Sequence, residues 1–234
     1  MKIKLIKNPK SNEFMDSMNL YMEVFPHDWD YILVVRRLIK NKINKNRKVY
    51  LLGAIEKGRV IGASIYSYWK DTKTGLLEYI FVSQKLRSKG VGSELYNKMV
   101  ADLKKKNCKH LIFNVARDEG FKKFISRKDL EIRKRRLKFY EKMGARPIDK
   151  FNYENPLHLS QIQEDYYPSY LAMDKNFSDK IEGLLFYKLV KRFYKRFYYG
   201  ATERNNQIAS RVLKSINKRI TYYLRKPKYL KNDN

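Results

Sequence analysis

The sequence predicts an α/β fold of the α+β type, with a mixed, mostly antiparallel central sheet flanked by helices. The first observation is a series of strand patterns at 49–55, 60–68 and 77–82, joined by short turns. The second is the helix–strand–helix–strand–strand order that follows, from 91 to 173. Consecutive strands joined by tight turns pair antiparallel, and helices between strands cover the faces of a sheet.

The N-terminal part begins with a short alternating segment, 2–7, which predicts a strand. Ser11 is expected to cap a helix that extends through Glu23, and residues 30–40 repeat the helical pattern. Lys57-Gly58 predicts the tight turn of a β-hairpin between the next two strands.

The later elements are predicted in the same way. They are a strand at 110–115, a helix at 129–143 capped by Gly144, and strands at 147–153 and 169–173. Two more helices are expected, one capped by Ser178 and one that begins at Thr202 and ends before Pro227. The predicted organisation is a domain at 1–174 and a basic amphipathic helical extension at 175–234, docked on that domain.

Composition limits the class of protein. The 234 residues are 43% apolar with only 10 Gly and 6 Pro, which suffices for a folded core and argues against wholesale disorder. The single Cys108 excludes an internal disulfide and indicates a reducing compartment, so we expect a cytoplasmic protein. No apolar run approaches the roughly 20 residues that span a bilayer.

The segment 78–95 carries the clearest chemical signal. An apolar strand runs into a polar turn, glycines follow at Gly90 and Gly92, and a helix starts directly afterwards. The first N–H groups of a helix have no intrahelical partner and lie at the positive end of its dipole. Glycine has no side chain to keep a ligand away, and Arg87 and Lys89 add positive charge. The turn therefore predicts a pyrophosphate site.

In this setting, the Arg-x-x-Gly-x-Gly order of 87–92 resembles the pyrophosphate loop of the GNAT superfamily of acyl-CoA-dependent N-acyltransferases. That loop reads Gln/Arg-x-x-Gly-x-Gly/Ala. A second landmark of the superfamily, a helical Phe/Leu-Tyr-x-x-x-Gly run, is similar to 139–144, which reads FYEKMG. The resemblance covers 1–174 and implies the GNAT fold, acetyl-CoA or another acyl-CoA as co-substrate, and an amine as acceptor.

The resemblance implies which residues hold the acyl donor. The pyrophosphate would lie on the backbone N–H groups of 87–92, and the pantetheine arm would pair with the preceding strand. Many relatives carry Asn seven residues before the family tyrosine. Here that position is Arg133, which either contacts CoA phosphates or is exposed. The cofactor-binding candidates are Phe81, Val82, Arg87, Ser88, Lys89, Gly90, Val91, Gly92, Ser93, Asn114 and Arg133.

The resemblance also implies two catalytic candidates. Tyr140 matches the tyrosine that protonates the departing CoA sulfur, and a phenol with a pKa of about 10 suits a thiolate of comparable basicity. Glu78 lies on the strand that faces the thioester and is the candidate base for the amine, directly or through water. The alternatives are a packing role for Tyr140 and a surface position for Glu78.

Metal chemistry is not predicted, because His27, His110 and His158 have no cluster of Cys, His or carboxylate residues around them. The carboxylates that would suit a cationic acceptor form a separate group. They are Asp28, Asp30, Glu78, Glu164 and Asp165.

Three functions remain open. The first is transfer of acetyl from acetyl-CoA to a primary amine of a small molecule, peptide or protein. The second is transfer of a longer acyl chain from acyl-CoA or an acyl carrier protein. The third is a basic module that binds nucleic acid or an anionic membrane, because the formal net charge is +28 and 188–199 interleaves basic and aromatic residues. The high charge is also consistent with a generally basic composition.

Overall fold

The computed structural model describes residues 1–26, 32–33, 35–36, 39, 46–118, 126–155, 167–198 and 203–229. The chain forms two compact units, Met1–Leu111 and Ile112–Asn234. Most of the helix predicted at 30–40 lies outside the described residues, as do His27, Asp28, Asp30, His158, Glu164 and Asp165.

The sheet of the first unit is antiparallel. Its strands pair in the order β1 (Lys2–Leu5), β2 (Arg47–Glu56), β3 (Arg59–Trp69) and β4 (Thr74–Val82). Helix α1 (Asn12–Val24) follows β1, and α2 (Val91–Lys105) follows β4 after a 3₁₀ turn, Gln84–Leu86. The Ser11 hydroxyl accepts the N–H of Phe14 at 3.3 Å, which confirms the predicted cap of α1.

The hairpin between β2 and β3 is also confirmed. Lys57 and Gly58 have φ angles of +48° and +77°, and two consecutive residues with positive φ are what the tightest hairpin turn requires. At the other end of the sheet, hydrogen bonds tie α2 to β3. The Tyr66 hydroxyl donates to Asp102 Oδ2 at 2.6 Å, and the Tyr68 hydroxyl donates to the Lys106 carbonyl at 2.8 Å.

Strand β8 is central in the second unit. It spans Tyr167–Asp174 and pairs antiparallel with three strands. These are β5 (His110–Ala116), through Ile112–Ala116, β6 (Ala145–Pro147) and β7 (Tyr153–Asn155). Helix α3 (Arg127–Lys142) precedes β6. After β8 the chain continues with β9 (Lys180–Glu182), α4 (Gly183–Tyr198), α5 (Glu203–Lys214) and β10 (Thr221–Tyr223), in this order. Strands β9 and β10 form an antiparallel pair.

The mixed α/β class with a mostly antiparallel sheet is therefore confirmed, whereas three details of the second unit are wrong. The strand predicted at 147–153 is two strands, separated by a turn in which Lys150 has a φ of +53°. Ser178 does not cap a helix: its hydroxyl accepts the N–H of Lys180 at 3.3 Å and donates to the carbonyl of the same residue at 2.7 Å. A strand follows, and the helix begins only at Gly183.

The last predicted helix is also shorter than its apolar spacing indicated. Helix α5 ends at Lys214, and the Asn217 side chain accepts the N–H of Arg219 at 2.9 Å. This local turn competes with helical hydrogen bonding, so the chain returns as a strand. No helix among the described residues is long and apolar enough to cross a membrane.

Aromatic packing joins α4 to the strands of the second unit. The Phe186 ring lies 4.7 Å from Phe151 and 4.9 Å from Tyr222, centroid to centroid. The Tyr194 hydroxyl donates to the Glu154 carbonyl at 2.7 Å. The apolar side chains buried on α4 and α5 are Phe186, Leu189, Val190, Phe193, Tyr194, Ile208 and Val212.

Candidate active site

The turn between β4 and α2 has the geometry of an anion site. Gly90 caps α2 with a φ of +86°, and a Cβ built there would meet no atom within 4 Å. The first helical bond runs from the Glu94 N–H to the Gly90 carbonyl at 3.0 Å. Within the described part of the chain, the N–H groups of Val91, Gly92 and Ser93 donate no hydrogen bond. These donors are therefore available at the positive end of the helix.

Exposed side chains flank this turn, and two of them carry a positive charge. Ser88, Lys89 and Arg87 are exposed, and Ser88 has a φ of +64°. Arg87 Nε lies 3.4 Å from the Val82 carbonyl, which links the turn to the end of β4. The predicted phosphate-binding residues are thus gathered on one exposed turn, as their contiguity in sequence implies.

Gly62 on β3 allows α2 to approach the sheet closely. A Cβ at this position would lie 3.0 Å from Val91 Cγ1 and 3.1 Å from the Phe81 carbonyl oxygen. The first residue of α2 therefore packs directly on β3 at Gly62. Sequence reasoning missed Gly62, although a glycine inside a strand pattern often marks a close approach by another segment.

Phe81 contributes its side chain to the core and not to a ligand surface. Its ring is buried and lies 5.5 Å from Tyr21 on α1, centroid to centroid. Any ligand contact by Phe81 is consequently restricted to its backbone. Val82 is partly exposed at the end of the strand.

A β-bulge interrupts β4 at Glu78. The pairing with β3 shifts from Ile65 opposite Tyr79 to Tyr66 opposite Leu77, so Glu78 is the extra residue. Bulges are common near active sites, where they re-aim a side chain or the backbone. Tyr79, the next residue, packs edge-on against Tyr21 of α1, with ring centroids 5.0 Å apart.

The Glu78 side chain is fully buried and forms an ion pair. Its Oε1 accepts a hydrogen bond from an Arg47 amino group at 2.8 Å, and the exposed fractions of the two side chains are 0% and 7%. The guanidinium carbon of Arg47 also lies 5.9 Å from the Trp69 ring centroid. Sequence reasoning missed Arg47, which precedes the predicted start of its strand at residue 49.

Tyr140 is partly buried on α3, in the second unit. Its ring lies 4.7 Å from Phe113 of β5 and 5.1 Å from Phe139, centroid to centroid. Burial raises the pKa of the Tyr140 hydroxyl to about 12, and the positive charge of Arg136 opposes this shift. The phenol therefore remains protonated at any physiological pH, as a proton donor must.

The two remaining cofactor candidates are also in the second unit. Asn114 is exposed on β5, opposite Leu171 of β8. Arg133 is partly buried, and its Nη1 donates to the Arg117 carbonyl at 3.1 Å. Arg133 thus ties α3 to the end of β5.

The residue after Tyr140 holds the C-terminal segment in place. The Glu141 carboxylate is buried and accepts the N–H of Lys228 at 2.8 Å and the N–H of Tyr229 at 2.7 Å. Lys228 Nζ lies 2.9 Å from Oδ2 of the buried Asp118, which also accepts the Tyr229 hydroxyl. No group of His, Cys, Asp and Glu in the described residues is arranged to hold a metal ion.

Comparisons with known proteins identify the family. The model of the Acetyltransferase (GNAT) family matches residues 14–145. No curated protein matches the chain. A solved structure described as a GNAT-family acetyltransferase from Bacteroides thetaiotaomicron is 18% identical, with a TM-score of 0.59 over 86% of this chain and all of that one.

Two further solved structures share the fold. An aminoglycoside 6'-N-acetyltransferase in complex with coenzyme A is 14% identical, with a TM-score of 0.53. An aminoglycoside 6'-N-acetyltransferase from Enterococcus faecium is 13% identical, with a TM-score of 0.51. Each covers 74% of this chain and 96% of its own length. At these identities the likeness shows the fold alone, and it agrees with the family match. The chain therefore belongs to the GNAT acetyltransferase family.

Proposed function

We propose that the protein transfers an acetyl group from acetyl-CoA to a primary amine by direct attack. The observation that carries this proposal is the turn between β4 and α2, where Gly90 leaves the N–H groups at the start of the helix uncovered. Three such donors at a helix N-terminus suit a pyrophosphate, and the family uses acyl-CoA. The exposed Arg87 and Lys89 add charge for the same ligand.

In the proposed reaction, the neutral amine attacks the thioester carbonyl and the carbon–sulfur bond breaks. Tyr140 donates its proton to the leaving CoA thiolate. A pKa of about 12 keeps this donor protonated, and burial is the cause of the shift. Backbone N–H groups of β4 would stabilise the oxyanion, in the way that preorganised donors lower the barrier of acyl transfer.

The amine must also lose a proton, either to Glu78 directly or to a water molecule. Glu78 is the carboxylate candidate, directly or through water. Its side chain has no exposed surface and one oxygen already accepts a hydrogen bond from Arg47, and this supports the water route over direct contact. Asn114 and Arg133 are proposed as further contacts of the acyl donor.

The donor site is tested by calorimetric titration of the full chain with acetyl-CoA, octanoyl-CoA and free CoA. We expect Gly90→Glu to abolish binding, because a carboxylate would stand among the donors of the pyrophosphate. Gly58→Glu is the matched control: Gly58 also has a positive φ, +77°, and also has no atom within 4 Å of a built Cβ. It lies in the β2–β3 turn, so its substitution introduces the same charge and similar strain elsewhere.

Each outcome has a defined meaning. Binding that Gly90→Glu removes and Gly58→Glu keeps supports the donor site, and equal loss in both variants contradicts it. Tighter binding of octanoyl-CoA than acetyl-CoA would replace the acetyl proposal by a longer acyl chain. If none of the three ligands binds, the acyltransferase proposal fails. If acetyl-CoA binds, the amine acceptors are compared by their rates of acetylation. The panel consists of spermidine, an aminoglycoside and a lysine peptide.

A further inference from the structure

We propose that Arg47 is a positioning residue for the reaction: it holds Glu78 in place, fixes the bulge in β4, and so sets the direction of the backbone that faces the thioester. This inference rests on the proposed function. Three observations carry it: the buried ion pair, the location of Glu78 in the bulge, and the route by which Arg47 reaches it.

The Arg47–Glu78 ion pair compensates a buried charge. A carboxylate with no exposed surface is costly in a protein interior unless a cation and hydrogen bonds compensate its charge. Arg47 supplies both at 2.8 Å, and its own side chain is only 7% exposed. Removing the guanidinium would leave Glu78 without this partner, and the carboxylate would then move toward water.

The ion pair lies at the bulge of β4. Glu78 is the extra residue between the pairs Ile65–Tyr79 and Tyr66–Leu77. The ion pair with Arg47 therefore acts on the residue at which the pairing of β4 with β3 changes register. A displacement of the Glu78 side chain would be transmitted to the backbone of the bulge, between Leu77 and Tyr79.

The ion pair also links separate strands. Arg47 begins β2, where it pairs with Trp69 of β3, whereas Glu78 is on β4. The arginine side chain therefore crosses β3 to join two strands that do not pair with each other. Its guanidinium passes within 5.9 Å of the Trp69 ring centroid, which limits its movement. Three strands are thus fixed to one another where β4 bulges.

This role predicts kinetics that differ from those of a general base. A displacement of about 1 Å in reacting groups can cost up to about 100-fold in rate. We expect Arg47→Met to lower kcat about 10- to 100-fold and to weaken acetyl-CoA more than free CoA, because the pyrophosphate turn is unaffected. Arg47→Lys keeps a positive charge and should restore part of the activity. Lys4→Met is the control, since it breaks an exposed ion pair with Glu13 in the same unit.

Glu78→Gln separates the two roles of the carboxylate. If Glu78 only holds the bulge, the acidic limb in the pH profile of kcat persists in Glu78→Gln. The kcat of the double variant, Arg47→Met with Glu78→Gln, is then no lower than that of either single variant. If Glu78 is the base, that limb disappears in Glu78→Gln. The second pattern overturns the inference.

The experiment is arranged so that the two proposals fail separately. Wild-type protein is first titrated with acetyl-CoA and assayed with the amine it acetylates fastest. If it binds and turns over but Arg47→Met behaves as wild type, the inference alone is wrong. If wild type binds no acyl-CoA, both fail. Should Arg47→Met not fold, Arg47→Met combined with Glu78→Leu removes both charges, and wild-type kcat in that protein overturns the inference.

Discussion

The turn between β4 and α2 in the first unit is the proposed donor site and is called the donor turn below. It is assembled in the opposite way to the region around Tyr140 in the second unit. The donor turn comes from one continuous segment, 78–93, and its chemistry is that of backbone donors. The Tyr140 region is assembled from distant parts: Phe113 packs on the ring, and Glu141 binds backbone groups 87 and 88 residues away. A site made of backbone is insensitive to most substitutions, whereas a site made of one hydroxyl and a network of buried contacts is not.

The sharpest test of this contrast is Tyr140→Phe. Proton donation by a positioned side chain contributes about 10²- to 10⁴-fold to a rate, so we expect kcat to fall at least about 100-fold. The affinity for acetyl-CoA should be unchanged, because the substitution leaves the backbone donors proposed for the pyrophosphate intact. Steady-state kinetics and calorimetry measure the two effects. Tyr153→Phe removes another buried hydroxyl whose pKa burial also raises, and it should keep wild-type kcat.

The next prediction concerns the C-terminal segment. Glu141→Ala removes the acceptor of two backbone N–H groups, and hydrogen bonds to a charged group contribute about 1.5–3 kcal/mol each. We expect the unfolding free energy to fall by about 3 kcal/mol, and the Tm by about 6–12 °C. Glu131→Ala, on the same helix, breaks an exposed pair with Lys134 and should change little. Equal shifts in the two variants, measured calorimetrically, would show that the C-terminal segment does not stabilise the second unit.

This difference in construction also decides what could be predicted from the sequence. The exposed turn between β4 and α2 was predictable, because its glycines, charges and helix start are neighbours in the chain; its role as the donor site stays a prediction. The hairpin at Lys57-Gly58 was predictable for the same reason. The Arg47–Glu78 pair was not, since its members are 31 residues apart and nothing local marks either as buried. Burial of a charge is a tertiary property, and only the pairing of β2, β3 and β4 brings the two side chains together.

The C-terminal segment illustrates the same limit. Apolar residues at helical spacing predicted that the last helix would continue almost to Pro227, but tertiary pairing takes precedence there. Strand β10 pairs with β9, and Leu224 bridges to Ile148. The periodicity is real for Ile208 and Val212, which are buried on α5. Beyond Lys214 apolar residues recur at the same spacing, but there they belong to a turn and to strand β10, and not to a helix.

A smaller effect is expected in the pH dependence of kcat. An ordinary tyrosine with a pKa of about 10 would be half ionised at pH 10 and would lose half of its donor form. Burial raises the pKa of Tyr140 to about 12, so its proton is retained through pH 10. We therefore expect no basic limb from Tyr140 below pH 11, in kcat measured with saturating substrates. A basic limb near pH 10 that is absent in Tyr140→Phe would show that the hydroxyl is not buried in the working enzyme.

The smallest effect should come from Lys4→Met, which sharpens the contrast between buried and exposed charge. Lys4 Nζ lies 2.6 Å from Glu13 Oε1, and this hydrogen bond lowers the pKa of Glu13 to about 2. Since the folded-state pKa is depressed, the pair stabilises the protein above pH 4.5, and this contribution is lost as the pH falls from 4.5 toward 2. Both side chains are accessible to water, so solvent screens the pair, and Lys4→Met should lower the Tm only slightly at pH 7. An NMR titration should show the Glu13 pKa rising in the variant. A clear fall in Tm would mean that an exposed pair stabilises this unit as much as a buried one does, and Lys4→Met would then no longer serve as the neutral control for Arg47→Met.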